Sequence, residues 1–219
     1  MNVYFDITHK LENTPDALRC APAAAAMARS VLERREIDMK TGELMVGFTE
    51  GRETWPYEMI AWFVQRGFEV EHIDALDVRS LAADPKRALA DEGFDVETID
   101  YFCKITDFAR ESRQIISAVE YGAVFKTRLP EIEDIIGYLR DGWIPLLTLD
   151  GGVLHGENRE GYQGHMVIVD GWDGAGRFRV QDSGPPVRWS CTVTASQIVD
   201  AWRTPAAAAG TLTAIRLKR

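Results

Sequence analysis

The sequence has 219 residues, of which 46% are hydrophobic, and a formal net charge of −9 that arises from 34 acidic and 25 basic residues. This length is enough to bury one sizeable core and is short for two full domains, so we expect a single domain over residues 1–219. The charges form no long block of one sign, which argues against nucleic acid and anionic membranes as main partners.

The cysteines Cys20, Cys103 and Cys191 are an odd number and have no Cys-x-x-Cys spacing. This pattern indicates free thiols rather than a disulfide framework or a zinc site, and no cluster of histidines, cysteines and acids has the spacing of metal ligands. The N-terminus lacks the basic start and apolar segment of a signal peptide. We therefore expect a cytoplasmic protein that uses no metal and no cofactor.

The first part of the chain is predicted to be mainly helical. Pro22 is tolerated in a helix only in its first turn, where the missing N–H has no partner, so the pattern predicts that Cys20 lies at a helix N-terminus. The elements predicted before residue 77 are, in chain order, a strand (3–7), a turn (13–16), a helix (21–36), a glycine-rich connection (46–51), a helix (55–66) and a strand (68–73).

Residues 77–125 are polar, charged and helical in composition, and we expect an inserted helical subdomain. This insertion contains apolar side chains that could cap a pocket, so we predict a lid that covers the cleft and selects substrates without supplying catalytic groups. The alternative, a helical decoration that packs far from the site, stays open. The capping candidates are Tyr101, Phe102, Phe108, Ile115 and Ile116.

The last part of the chain has the two-residue alternation and turn signals of strands. Helices first and a mostly antiparallel sheet second predict the α+β fold class. The alanine run at 205–209 is interpreted as a loop or helix end. The predicted elements are a helix (129–142), a buried strand (144–149), a polar loop (150–164), strands joined by a hairpin turn (166–170 and 177–181), a further strand (188–193), a helix (195–202) and a last strand (211–217).

Cys20 is the candidate nucleophile because a helix N-terminus and an imidazolium both favour the reactive thiolate. His165 is the candidate base, since it opens a strand directly after a glycine-rich loop. Asp182 ends the strand that pairs with the strand of His165, so we expect it to lie beside this histidine and orient it. Asp182 precedes Ser183, Gly184 and two prolines, however, and could equally be a turn former.

Several motifs resemble the bacteriocin-processing, double-glycine leader peptidase family of papain-like enzymes. Cys20-Ala21-Pro22-Ala23 resembles its Cys-Gly-Pro-Ala signature, and the segment 164–173 resembles its Gly-His-strand-Gly-aromatic-Asp unit. Segments 177–184, 54–70 and 140–146 resemble its later strand and its helix-to-strand units, in the same order. The resemblance implies a papain-like α+β fold in which a helical part, with the catalytic cysteine at a helix N-terminus, packs on an antiparallel sheet. It leaves the insertion at 77–125 unmatched.

The family usually has a glutamine six residues before the cysteine, whose amide stabilises the oxyanion, and this sequence has Thr14 there. Asn13 is the possible substitute, with the Cys20 backbone N–H as the second donor. Two further residues are interpreted as binding rather than catalytic: Trp172 as a wall of the acyl pocket, and His155 as one rim of the cleft.

Together these features predict a cysteine-dependent hydrolase, a peptidase or amidase, that cleaves an amide bond in a peptide-like substrate through an acyl-enzyme on Cys20 with His165 as base. Two alternatives stay open. One is an acyltransferase that uses the same acyl-enzyme in peptide or small-molecule biosynthesis. The other is a catalytically inactive peptide-binding module of the same fold.

Overall fold

The computed structural model describes residues 3–157, 162–203 and 210–218, and the alanine run at 205–209 lies outside these ranges. Within the described residues, runs of helices separate single strands in the first part of the chain, and three strands follow one another in the last part. The strands are β1 (Val3–Tyr4), β2 (Phe68–Asp74), β3 (Val124–Thr127), β4 (Ile144–Asp150), β5 (Gly164–Trp172), β6 (Arg177–Asp182), β7 (Arg188–Thr194) and β8 (Thr211–Leu217). The helices are α1 (Cys20–Glu33), α2 (Met39–Val46), α3 (Tyr57–Gln65), α4 (Val78–Ala83), α5 (Pro85–Asp91), α6 (Val96–Ile105), α7 (Phe108–Glu120), α8 (Ile132–Arg140), α9 (Gly151–Leu154) and α10 (Ala195–Trp202).

All the described strands belong to one sheet, in the order β3-β2-β8-β4-β5-β6-β7, with β1 paired to β5. The pairing of β2 with β3 is parallel, and the other pairings are antiparallel. The predicted α+β class with a mostly antiparallel sheet is therefore confirmed. The parallel strand β3 and the position of β8 in the middle of the sheet were not predicted, because strand order depends on contacts between distant parts of the chain.

The sheet has helices on both faces, because its central strands carry apolar side chains on alternate faces. Leu146 and Ile168 belong to the core shared with α1 to α7, whereas Leu147 and Val167 belong to the core shared with α8 and α10. Two successive residues of one strand therefore face different cores. This arrangement buries β4 and most of β5 on both sides.

Helix α1 lies deep in the first core, where the side chains of residues 21 and 23–28 are at most 6% exposed. Its alanines allow close approach of the neighbouring elements. The unpredicted helix α2 crosses it at Gly42, where a Cβ atom would lie 2.3 Å from the backbone oxygen of Pro22. The close packing on small residues fixes the start of α1, and with it Cys20, relative to the sheet.

The segment 77–125 forms α4 to α7 and the start of β3. Leu81, Leu89, Ile115 and Ala118 are buried in the same core as α1. Of the predicted capping residues, Tyr101 and Ile116 are exposed, whereas Ile115 is only 2% exposed. The segment is thus an integral part of the first core, and its role in substrate selection stays a prediction.

Candidate active site

The antiparallel pairings bring the ends of several strands to one edge of the sheet. At this edge β4 and β6 end, with Asp150 and Asp182, and β5 begins, with His165 as its second residue. Cys20 is the first residue of α1, which packs against β5. One helix N-terminus and three strand ends therefore converge on a single place.

Cys20, His165 and Asp182 form a connected chain of side chains. The Nε2 atom of His165 lies 2.7 Å from Oδ1 of Asp182. The same imidazole ring lies close enough to the Cys20 thiol to lower its pKa. Since Nε2 faces Asp182, the other ring nitrogen, Nδ1, is the one available to Cys20. The structure thus brings together the three residues that the sequence singled out, while their catalytic roles stay a prediction.

Two opposing effects set the pKa of the Cys20 thiol. Burial raises it, whereas the hydrogen bond and positive charge of His165 and the backbone N–H groups of Met166 and Ala21 lower it, and the net result is a lowered pKa. The Ala21 N–H belongs to the first turn of α1, where such groups have no partner inside the helix. The site therefore favours the thiolate of Cys20.

Burial lowers the pKa of His165, but its bonds to Asp182 and Cys20 outweigh this effect and raise it to about 10. Burial likewise raises the pKa of Asp182, and hydrogen bonds from His155 and His165 reverse this, so that the pKa lies well below its ordinary value. These directions favour the thiolate of Cys20, the imidazolium of His165 and the carboxylate of Asp182.

Asp182 is only 1% exposed and has more donors than the sequence suggested. Nε2 of His155 lies 2.6 Å from Oδ2, and the backbone N–H of Gly184 donates to Oδ1 at 2.7 Å. Nη1 of Arg188 lies 4.0 Å from Oδ2. A buried carboxylate that accepts from both sides is held in one orientation, which in turn holds His165.

His155 was predicted as a rim residue, and its contact with Asp182 was missed. The short helix α9 explains the contact, because Asp150 caps its N-terminus through the Val153 N–H and the following turn directs His155 toward β6. The signal in the sequence is an aspartate followed by two glycines at the end of a buried strand. Gly151 also packs on the base, since a Cβ atom there would lie 3.0 Å from the Cβ of His165.

Asn13 and Thr14, the oxyanion candidates, have other partners. The Asn13 Oδ1 atom accepts from the backbone N–H of Arg19 at 2.7 Å, and its Nδ2 donates to the Gly184 carbonyl at 2.8 Å. The Thr14 hydroxyl donates to Asp16. Asn13 therefore joins the loop before α1 to the loop after β6. These contacts do not support an oxyanion role for either residue.

Gly184 is constrained in this connection. Its φ angle is +78°, and a Cβ atom would lie 2.4 Å from the backbone nitrogen of Val187. Only glycine fits this conformation without strain. The backbone of Gly184 serves both Asp182, through its N–H, and Asn13, through its carbonyl.

Trp172 does not lie at the site, and the prediction that it walls the acyl pocket is wrong. It is the last residue of β5, whereas His165 is the second, so that about 23 Å of extended strand separate them. Trp172 is 8% exposed in the second core, with the Arg140 guanidinium over its ring at 4.8 Å. The Trp172 side chain therefore packs in the second core, far from Cys20.

A cavity of about 270 Å³ opens beside His165 and Asp182. Its polar wall includes His155 and the pair formed by Arg188 and Glu157, whose Nη2 and Oε1 atoms are 2.5 Å apart. Within the described ranges, no residue of the segment 77–125 lines this cavity. The room beside the imidazole is sufficient for part of a peptide-sized ligand.

Among the residues that the structure describes, no three histidine, cysteine or acidic side chains are grouped so that they could hold a metal ion. In the same part of the chain, no helix is long and apolar enough to cross a membrane. A scan of the sequence against protein-family models found no match, and a search of curated proteins found none either.

Proposed function

We propose that this protein is a cysteine-dependent hydrolase or acyltransferase with a papain-like fold, in which Cys20 is the nucleophile, His165 the base and Asp182 the orienting residue. The observation that carries the proposal is the position of Cys20, at the start of a helix and beside His165, whose imidazole is hydrogen-bonded to Asp182. A nucleophile, a base and a third group that orients the base are the recurring parts of covalent acyl transfer.

The reaction follows from the protonation states. The Cys20 thiolate attacks the carbonyl carbon of an amide, and the negative charge moves to the carbonyl oxygen. His165, as an imidazolium, then gives its proton to the leaving amine, and a thioester with Cys20 forms. Water attacks this thioester, His165 takes its proton, and the thiolate leaves with the carboxylic acid released. Asp182 keeps the imidazole oriented and stabilises its charged form.

Peptide-like amides are the proposed substrates, on the strength of the resemblance to leader peptidases. If an amine takes the place of water, the same thioester makes the protein an acyltransferase. The binding-module alternative has one specific observation in its favour, namely that the family glutamine is absent while the Asn13 amide and the Thr14 hydroxyl already donate to Gly184 and Asp16.

Trapping of the acyl-enzyme tests the proposal. The purified protein is mixed with a library of fluorogenic peptide amides, quenched in acid and examined by intact-mass and peptide-mass spectrometry. We expect release of the fluorophore and an acyl group on Cys20, and transfer of that group to added glycine amide distinguishes an acyltransferase. Cys20→Ser should lose both signals, and Cys103→Ser should keep them. Absence of any acyl adduct and of any turnover would leave the binding module as the better function.

A further inference from the structure

A second cavity of about 100 Å³ lies along the same edge of the sheet. A cavity of about 150 Å³ holds one benzene ring, so this volume is suited to a single side chain rather than a whole ligand. Its lining combines acidic, hydroxyl and aromatic groups, and the residues used below are Glu53, Trp55, Asp74, Phe102, Tyr162 and Thr211.

Tyr162 connects this cavity with the candidate nucleophile. Tyr162 lines the cavity, and its ring also lies against Gly164, the residue before His165, where a Cβ atom would be 3.1 Å from Cε1 of Tyr162. A substrate whose amide is at Cys20 can therefore place a neighbouring side chain in the second cavity.

Two of the polar groups in the cavity are buried hydrogen-bond acceptors. Asp74 is 3% exposed and Thr211 is 6% exposed, and the Thr211 hydroxyl oxygen has no hydrogen-bond partner among the described residues. A buried hydroxyl without a partner is unfavourable, so the Thr211 oxygen is an acceptor that a ligand in the cavity could satisfy. The described lining contains two acids, Glu53 and Asp74, and no lysine, arginine or histidine. Outside the lining, the Leu76 N–H donates to Oδ1 of Asp74, and Nε2 of His72 lies 3.5 Å from its Oδ2.

Aromatic rings form the rest of the wall. The Trp55 indole N–H donates to Thr106 at 3.1 Å, and the Trp55 and Phe102 rings meet edge to face with centroids 5.8 Å apart. These contacts fix the rings before any ligand enters. Ring faces and carboxylates both attract a positive charge, and hydrophobic ring edges suit the methylene groups that carry it.

We infer that the second cavity binds a positively charged side chain of the substrate, an ammonium or guanidinium group on an aliphatic chain, as in lysine or arginine. This inference rests on the proposed function, because it assigns the cavity to the substrate of Cys20. The carboxyl groups of Glu53 and Asp74 pair with the cation, the Thr211 oxygen accepts one of its hydrogens, and Trp55, Phe102 and Tyr162 enclose the chain.

Binding to the full chain carrying Cys20→Ala tests the inference without turnover. The ligands are N-acetyl-lysine amide, N-acetyl-norleucine amide and N-acetyl-glutamate amide, and affinities are measured by titration followed by NMR. We expect the lysine amide to bind at least about tenfold tighter than the uncharged norleucine amide, because a buried ion pair is lost in the latter. Equal affinities, or tighter binding of the glutamate amide, would overturn the inference.

Variants locate the effect. Glu53→Gln removes a charge from an exposed position and Thr211→Val removes the unpartnered hydroxyl, and each should reduce the preference for lysine by about threefold to tenfold. Glu50→Gln is the matched control, since Glu50 is exposed nearby and outside the lining, and it should keep the preference. A preference for lysine that survives in both lining variants would place the cation elsewhere and overturn the assignment.

Turnover separates this inference from the proposed function. Wild-type protein is assayed with fluorogenic amides that differ only in lysine or norleucine. Cleavage of both amides at equal kcat/KM would contradict a cation site in the second cavity and would still support the proposed hydrolase activity. If neither amide is cleaved but the lysine amide binds selectively, the proposed hydrolase activity is contradicted and the cation site in the second cavity is supported.

Discussion

Cys20 and Asp182 share one imidazole ring, that of His165, which lowers the pKa of the thiol and is hydrogen-bonded to the carboxylate. The start of α1 supplies the first residue and the end of β6 supplies the second, so the ring links this helix to the sheet. A change on either side should alter the properties of the residue on the other side through the shared ring.

The first prediction concerns the reactivity of the thiols. Iodoacetamide near pH 7 should modify Cys20 before Cys103 and Cys191, because the pKa of Cys20 is lowered whereas burial, together with the charge of Asp182, raises that of Cys191 to about 11. Mass spectrometry of tryptic peptides after timed quenching gives the three rates. Faster labelling of either other cysteine would count heavily against the assignment of the nucleophile.

Replacement of the base tests the origin of that reactivity. In His165→Ala the thiol keeps its burial, which raises its pKa, and loses the imidazole, which lowers it. Alkylation of Cys20 at pH 7 should slow by about tenfold or more and recover as the pH rises above 9. A pH profile identical to that of the wild type would show that His165 does not act on Cys20.

A second prediction concerns Asp182. Asp182→Asn should lower kcat/KM by about 10²–10⁴-fold, because an amide cannot stabilise the charged imidazole as a carboxylate does. The folded-state pKa of Asp182 lies below its ordinary value, so the carboxylate stabilises the fold above the ordinary carboxyl pKa, and this contribution is lost as the pH falls through the folded pKa. Melting temperatures at acid pH should therefore vary less with pH in the variant than in the wild type.

His155 is expected to act as a positioning residue through Asp182. Its hydrogen bond is the largest effect that lowers the pKa of Asp182, so in His155→Ala this pKa should rise. The acid limb of the pH–rate profile should then move to higher pH, with a loss of kcat/KM of about tenfold. His155→Gln, which retains a donor, should restore part of both effects. An unchanged acid limb would show that the contact is only structural.

Local signals in the sequence were sufficient to select the candidate nucleophile, the candidate base and the candidate orienting acid. Pro22 in a first turn, a glycine-rich loop before His165 and the hairpin turn after β5 each depend on neighbouring residues only. The hairpin pairing of β5 with β6 follows from these signals, and it brings Asp182 to the correct end of the sheet.

The other features depend on distant contacts. The aspartate and two glycines at 150–152 indicate a local turn before His155, but they do not indicate that His155 meets Asp182, 27 residues further along the chain. Trp172 was misplaced because closeness in sequence was taken for closeness in space, although an extended strand moves away by about 3.3 Å per residue. The parallel pairing of β3 with β2 likewise depends on α4 to α7, whose packing no short motif encodes.

A further prediction concerns the segment 77–125. Its removal would expose the core around Ile115 and Ala118, so a point change is the sharper experiment. Phe102→Ala enlarges the second cavity and should change the relative kcat/KM for substrates with different side chains by about tenfold, while the alkylation rate of Cys20 changes less than twofold. Tyr101→Ala, at an exposed neighbour, is the control. Unchanged selectivity in folded Phe102→Ala would assign the segment a structural role only.

The last prediction concerns stability rather than catalysis, and it depends on Glu111 in α7. This side chain is 8% exposed and its Oε2 atom has no hydrogen-bond partner among the described residues. Burial and the nearby charge of Glu58 raise its pKa from 4.5 to about 8, although Arg110 acts in the opposite direction. The folded protein therefore holds a proton that the unfolded chain releases.

Because the folded state binds more protons between these two pKa values, the free energy of unfolding should fall as the pH rises from about 4.5 to 8 and then level off. Glu111→Gln removes the ionisable group and should stabilise the fold by on the order of 5 kcal/mol at pH 9, or roughly 10–20 °C in Tm, with little effect at pH 4.5. Glu120→Gln, at an exposed position of the same helix, should change Tm by about 1 °C or less at both values. Thermal unfolding followed by circular dichroism gives the Tm of the wild type and both variants. An equal effect of Glu111→Gln at the two pH values would contradict the claim that Glu111 holds a proton in the folded state.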